Sequence, residues 1–231
     1  MDIHGLQKLT LLDFPGRTAC TVFLAGCNLR CPFCHNSELL DRGTMPPVMD
    51  DGELLRFLEQ RRGLLDGVCF TGGEPLLRPE LPELMARVKA LGYAVKLDTN
   101  GTLPERLEAI LSAGLADYVA MDIKNGPTRY AEASGLAAME TEPVRRSIEL
   151  LLRTAPDYEF RTTVVEQLHG EADFREIAEL IRGAKRYALQ AFADRDTVVF
   201  GGLSAPTRQQ MEHYADIVRP AVGEVLLRGV D

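Results

Sequence analysis

Three thiols stand within eight residues: Cys27, Cys31 and Cys34, in the run Gly26-Cys27-Asn28-Leu29-Arg30-Cys31-Pro32-Phe33-Cys34-His35-Asn36. Four-iron clusters are normally held by four Cys thiolates. Three thiolates leave one iron open, and an open metal position is where chemistry happens. A loop of this length can curl around one cluster, since each residue spans at most about 3.3–3.6 Å. Zinc is a second reading, but structural zinc takes four ligands, and His35 directly follows Cys34, which makes chelation of the same ion awkward. Covalent haem is a third, because Cys31-Pro32-Phe33-Cys34-His35 matches C-x-x-C-H. That attachment belongs to exported proteins and leaves Cys27 unexplained. Cys20 and Cys69 stand alone in apolar runs and read as small buried hydrophobes.

Other polar groups fall at the ends of apolar runs. Gly72-Gly73-Glu74-Pro75 follows one, and two glycines let a backbone approach a ligand closely. Their carbonyls, with Glu74, could hold a cationic amino group; a plain strand-to-helix turn is the competing reading. Asp98-Thr99-Asn100-Gly101 ends the next run and is also a good turn sequence. Asp122 and Lys124 alternate onto one face of a strand, as do Lys96 and Asp98. Buried there, they need partners. Arg161 could grip a ligand carboxylate as a fork or pair with one of these Asp residues. His4, His169 and His213 are isolated and read as surface or loop residues.

The elements that must position these groups alternate. Candidate strands are 18–25, 67–71, 94–98, 118–123, 159–165 and 187–192. Candidate helices are 51–61, 79–91, 104–113, 143–153 and 173–182. Leu81, Leu84, Met85, Val88 and Leu91 give the one-sided stripe of a surface helix, and Gly92 stops it. Such alternation implies parallel strands with right-handed crossovers, and ligands at their C-terminal ends. Two closures fit this alternation, a doubly wound sheet and a barrel or partial barrel; six units are too few for the eight-stranded barrel, and the motifs at the strand ends favour an α/β fold that is a partial (β/α)6 TIM-like barrel. The expected organisation is a single domain over 1–231, with its core at about 18–200 and a C-terminal helix and short tail in 203–231. The 231 residues are 45% hydrophobic and 26% charged, an ordinary soluble composition. The net charge of −8, without a basic run, disfavours nucleic acid. No apolar stretch is of spanning length, and Met1-Asp2-Ile3-His4 lacks the start of a signal peptide, so a cytoplasmic protein without a membrane partner is expected.

The motifs together resemble a known family. C-x-x-x-C-x-x-C with an aromatic before the last Cys is similar to the signature of radical S-adenosylmethionine (SAM) enzymes, and Gly72-Gly73-Glu74 resembles their amino-group motif. Cys34-His35-Asn36, Asp98-Thr99-Asn100-Gly101 and Asp122-Ile123-Lys124 resemble the glycyl-radical-enzyme activases. The opening run, residues 5–16, is similar to activating proteins of anaerobic ribonucleoside-triphosphate reductase. The resemblance implies a [4Fe–4S] cluster on Cys27, Cys31 and Cys34, with SAM chelating the fourth iron. One electron then cleaves SAM to methionine and a 5′-deoxyadenosyl radical, which takes hydrogen from a glycine of the partner enzyme. It places Phe33 near adenine, Gly72, Gly73 and Glu74 at the methionyl amino group, and Asp98, Lys124 and Arg161 at the methionyl or ribose end. Asp98, Thr99 and Asp122 match a monovalent-cation site of pyruvate formate-lyase activases, although Ala120 stands where those relatives carry Met. No catalytic side chain is implied beyond cluster and SAM. Flavodoxin or ferredoxin is the implied electron donor. A radical SAM enzyme acting on a small molecule, like the similar 7-carboxy-7-deazaguanine synthases, is the alternative, as is a pyruvate formate-lyase-type activase. A non-enzymatic metal-binding module is a third, against which the Gly-Gly-Glu run argues.

Overall fold

The computed structural model describes residues 1–230. Its strands are β1 (Asp2–Ile3), β2 (Gly5–Thr10), β3 (Ala19–Leu24), β4 (Met49–Asp50), β5 (Gly67–Gly72), β6 (Ala94–Thr99), β7 (Tyr118–Asp122), β8 (Tyr158–Val164), β9 (Arg186–Ala191) and β10 (Glu224–Arg228). Its helices are α1 (Asp51–Gln60), α2 (Leu81–Ala90), α3 (Pro104–Ser112), α4 (Tyr130–Ala133), α5 (Glu142–Thr154), α6 (Glu171–Leu180) and α7 (Arg208–Val218). The six expected strands all form, with ends within one residue of the sequence reading at most positions.

One eight-stranded sheet runs in the order β10-β9-β8-β7-β6-β5-β3-β2. From β3 to β10 every pairing is parallel; β2 is antiparallel to β3. The ends do not meet, so the barrel is partial, as expected. Two strands extend the expected six. β10 pairs with β9 along five residues, so residues 224–228 of the tail join the sheet. β2 joins the other edge, where its Gln7-Lys8-Leu9 stretch is exposed and therefore lacks a full apolar face for a sequence reading to detect. β1 and β4 form a separate two-stranded pair.

The strands read as continuous apolar runs because helices and barrel interior cover both faces. In β3 and β5 the first four residues of each are buried. α2 buries Leu81, Leu84, Met85 and Val88, as the stripe requires, each burial contributing about 1.5–3 kcal/mol. α1 starts at a reciprocal cap: Asp50 accepts from the Glu53 N–H at 2.7 Å, and Glu53 accepts from the Asp50 N–H at 2.9 Å. No helix among the described residues is long and apolar enough to cross a membrane.

Candidate active site

The cysteine loop leaves β3 and is pinned from both sides. The Gly26 and Cys27 N–H groups donate to the Leu39 and Leu40 carbonyls at 2.8 and 2.9 Å. The Arg30 N–H donates to the Ser134 carbonyl at 2.9 Å, at the end of α4. Gly135, at φ +68°, lies so close that a Cβ would stand 1.8 Å from the Arg30 carbonyl oxygen. The Arg30 guanidinium folds back to donate to the Cys27 and Leu29 carbonyls at 2.7 and 2.9 Å. Backbone and Arg30 thus fix the loop whatever its thiols hold.

Cys27, Cys31 and Cys34 line one cavity of about 220 Å³ at the C-terminal ends of the strands. All three are free thiols. Among the described residues no three His, Cys, Asp or Glu side chains close on a point as a single ion needs. Burial pushes the Cys31 thiol up to about 11, with the Lys124 ammonium pulling it back. Burial also raises Cys27 and Cys34, again opposed in part by Lys124. The loop alone therefore keeps its thiols protonated; a metal must displace their protons. The donor set fits a three-point [4Fe–4S] site.

Across the cavity lies a charge ladder. Lys96 pairs with Asp98; Arg161 bridges Asp98 at 3.3 Å and Asp122 at 2.9 Å; Lys124 pairs with Asp122 at 3.0 Å. The five residues come from β6, β7 and β8 and the turn after β7, and alternate in sign. Burial alone would raise the Asp122 carboxyl, but Arg161 and Lys124 outweigh it and hold it at about 2. Asp98 is likewise lowered against burial by Arg161 and Lys96. The Lys124 ammonium also sits 6.0 Å from the Phe33 ring centroid. Phe33 is buried against Ala133, Val165, Leu168 and Phe192.

Of the residues expected at the site, all but Glu74 line this cavity. Glu74 is fully enclosed behind it. Its carboxylate accepts from the Thr99 hydroxyl at 2.9 Å, the Leu76 N–H at 3.1 Å and the Asn100 N–H at 2.7 Å. Burial pushes its carboxyl up to about 7, with those donors pulling it back. Glu74 therefore ties β5 to β6 instead of facing an amino group. The glycines before it also serve the chain itself. A Cβ on Gly72, at φ +125°, would meet the Leu24 carbonyl oxygen at 2.3 Å, and one on Gly73 the Gly26 oxygen at 2.2 Å. The close approach is to the root of the cysteine loop.

The expected cation ligands are occupied differently: Asp98 and Asp122 face Arg161, Lys96 and Lys124, and the Thr99 hydroxyl donates to Glu74. Two histidines also depart from expectation. His4 is buried and its Nδ1 accepts from the Ala25 N–H at 3.3 Å. His169 is buried behind Phe33, its Nδ1 accepting from the Val165 N–H at 3.1 Å. His213 is exposed, as expected. The sequence reading did not assign Asn36, Thr163 and Gln190, which line the cavity as well. Thr163 could have been found, two residues after Arg161 on the same strand face. Asn36 donates to the Gly72 carbonyl at 3.2 Å.

A sequence profile described as the radical SAM superfamily matches residues 21–181. A Methanocaldococcus jannaschii protein provisionally named a glycyl-radical enzyme activating enzyme is 30% identical over 239 residues, covering 99% of this chain and 96% of its own length. The pyruvate formate-lyase-activating enzyme of Clostridium pasteurianum is 36% identical over 129 residues, 53% of this chain and 52% of its own. Among solved structures, Streptococcus suis SuiB bound to precursor peptide SuiA aligns with a TM-score of 0.69 at 15% identity over 90% of this chain. This chain spans 48% of that one, and the likeness is one of fold.

Proposed function

The chain belongs to the radical SAM superfamily, and on that premise we propose that it installs a radical on a glycine of a partner glycyl radical enzyme. The superfamily's [4Fe–4S] cluster and SAM, when bound, supply one-electron cleavage of a sulfonium and the hydrogen-atom abstraction that follows. In this reading Cys27, Cys31 and Cys34 hold three irons. Gly72 and Gly73 offer backbone oxygens to the methionyl amino group. Asp98, Lys124 and Arg161 face its carboxylate and the ribose, and Phe33 lies by the adenine and excludes water. Arg161 keeps both Asp side chains ionised and fixed, so ligand hydroxyls would meet preorganised acceptors.

The observation that carries this reading is that three free thiols and four members of the charge ladder, Asp98, Asp122, Lys124 and Arg161, line one cavity at the open end of a partial barrel. The full-length similarity to a protein named as an activating enzyme supports a protein substrate. The partner we propose is anaerobic ribonucleoside-triphosphate reductase, with flavodoxin or ferredoxin as electron source; the opening run 5–16 supports the reductase. Anaerobic mixing of the reconstituted, reduced protein with SAM and that reductase tests it. A glycine-centred doublet in electron paramagnetic resonance (EPR), together with 5′-deoxyadenosine and methionine, is the expected result. Products without a doublet on this reductase overturn the partner. Products without a doublet on any glycyl radical enzyme overturn the activase reading.

A further inference from the structure

Three motifs that serve the cofactors separately are joined in one hydrogen-bonded unit centred on Asn100. Its backbone N–H is held by Glu74 at 2.7 Å. Its side-chain Oδ1 accepts from the Thr102 N–H at 3.0 Å and the Thr102 hydroxyl at 2.7 Å. A backbone N–H can only donate, so that atom must be the oxygen and the amide cannot be turned over. Nδ2 is thereby aimed at the cysteine loop. It donates to Asn28 Oδ1 at 2.9 Å and stands 4.0 Å from Cys27 Sγ. Asn28 closes the ring by donating to the Thr102 hydroxyl at 2.8 Å. The same sulfur has a second N–H beside it, from Leu29 at 3.4 Å. Asn100 is buried, at 6% exposure, so the amide competes with little water.

We propose that Asn100 is a positioning residue that sets the reduction potential of the cluster through Cys27. The inference rests on the reading of Cys27 as an iron ligand. Reduction adds negative charge, part of which spreads onto the thiolate sulfurs. An N–H dipole fixed toward that sulfur favours the reduced form, and hydrogen bonds to cluster sulfurs are a recognised control of potential. Glu74 and Thr102 hold the amide's direction, and Asn28 keeps it at the loop. The buried Glu74 thus acts on the metal through Asn100, without facing the cavity.

The test is an EPR-monitored potentiometric titration of the reconstituted full-length protein, with iron and sulfide content measured in parallel. At the potential where half the wild-type clusters are reduced, Asn100→Leu should lower the reduced-to-oxidised ratio about fivefold, the scale of one net hydrogen bond. Asn28→Ala removes the acceptor but leaves the Asn100–Glu74 backbone tie, and should shift the ratio the same way by less. Both variants titrating with wild type at full iron content would overturn the proposal. If Asn100→Leu assembles no cluster, Asn28→Ala decides: an unchanged ratio overturns the proposal, and a lowered one upholds it. A Cys27→Ala protein that keeps a wild-type cluster signal would instead overturn the ligand reading beneath it.

Discussion

The two ends of this barrel use the same side chains for different ends. At the base, where the strands begin, carboxylates meet cations largely two by two. Arg228, at the end of β10, reaches back to grip the buried Glu159 with both Nη atoms, at 3.0 and 2.7 Å, and also donates to Gln190 at 3.4 Å; Arg186 pairs with Asp157; Lys89 pairs with Asp117 at 2.7 Å. Phe14 and Tyr118 seal the floor with rings 6.1 Å apart. At the other end Arg161 is shared between two carboxylates, each with a lysine on its far side, and all of the row but the buried Lys96 faces an open cavity. The difference teaches that buried charge by itself does not mark a site. The mark is a network left open on one side, beside a loop bearing free thiols. Parallel α/β folds put such loops only where strands end.

The contrast can be broken first at the loop. Cys31→Ala should abolish iron retention and SAM cleavage together, well beyond the roughly 10–100-fold expected of an outer-shell change. Iron analysis and methionine release measure it, and a cluster-loaded, active variant would erase the distinction between the ends. Next, the two arginines should separate. Arg228→Ala leaves Glu159 buried and alone, and should cost about 3 kcal/mol in urea unfolding while SAM cleavage per folded molecule persists. Arg161→Ala should cost about as much stability and also lose SAM cleavage, because it leaves two carboxylates facing the cavity. Equal activities would show the ladder to be structural only.

A smaller effect is expected behind the site. Gly73→Ala pushes a methyl against the Gly26 backbone, and should cost about 1–3 kcal/mol and loosen the cysteine loop. Unchanged melting and iron content would mean the loop roots can part freely. Smallest are the pH effects, which run in opposite senses. Glu74 is raised from 4.5 to about 7, so the fold binds its proton more tightly than the unfolded chain does. Stability should therefore fall as pH rises between those values, and Glu74→Gln should flatten that slope. Asp122 is lowered from 3.8 to about 2, so its contribution is present above 3.8 and lost as pH falls toward 2. Asp122→Asn should remove about 1 kcal/mol from the acid limb, the carboxylate being partly exposed and screened. Denaturation curves across pH check both slopes.

Much of this was legible in the chain. The six central strands announce themselves because buried parallel strands must be apolar along both faces, and their closing polar residues mark the cavity. Asp98, Lys124 and Arg161, expected near one another from their strand-end positions, line that cavity together, as does Phe33, which only the family resemblance singled out. β2 and β10 were harder, since edge strands need only half-buried sequences. α4 has four residues, too few for a period to show, yet its end carries the carbonyl that fixes Arg30. His4 carried no local sign of burial, because its partner lies 21 residues away; His169 has one partner four residues before it, at Val165, but the other, the Lys124 carbonyl, lies 45 residues away.

By itself the sequence determined the chemistry: three soft ligands at close spacing, glycines beside them and ionisable residues at strand ends. Side-chain type and local spacing are properties of the chain, and they survive without a fold. Only the tertiary structure decided which way each group faces. It turned Glu74 inward onto Asn100, set the two glycines against the loop root, and gave Arg161 two carboxylates to share. Those outcomes depend on strand register and on backbones from distant segments meeting within a few ångströms, contacts no single stretch of residues encodes.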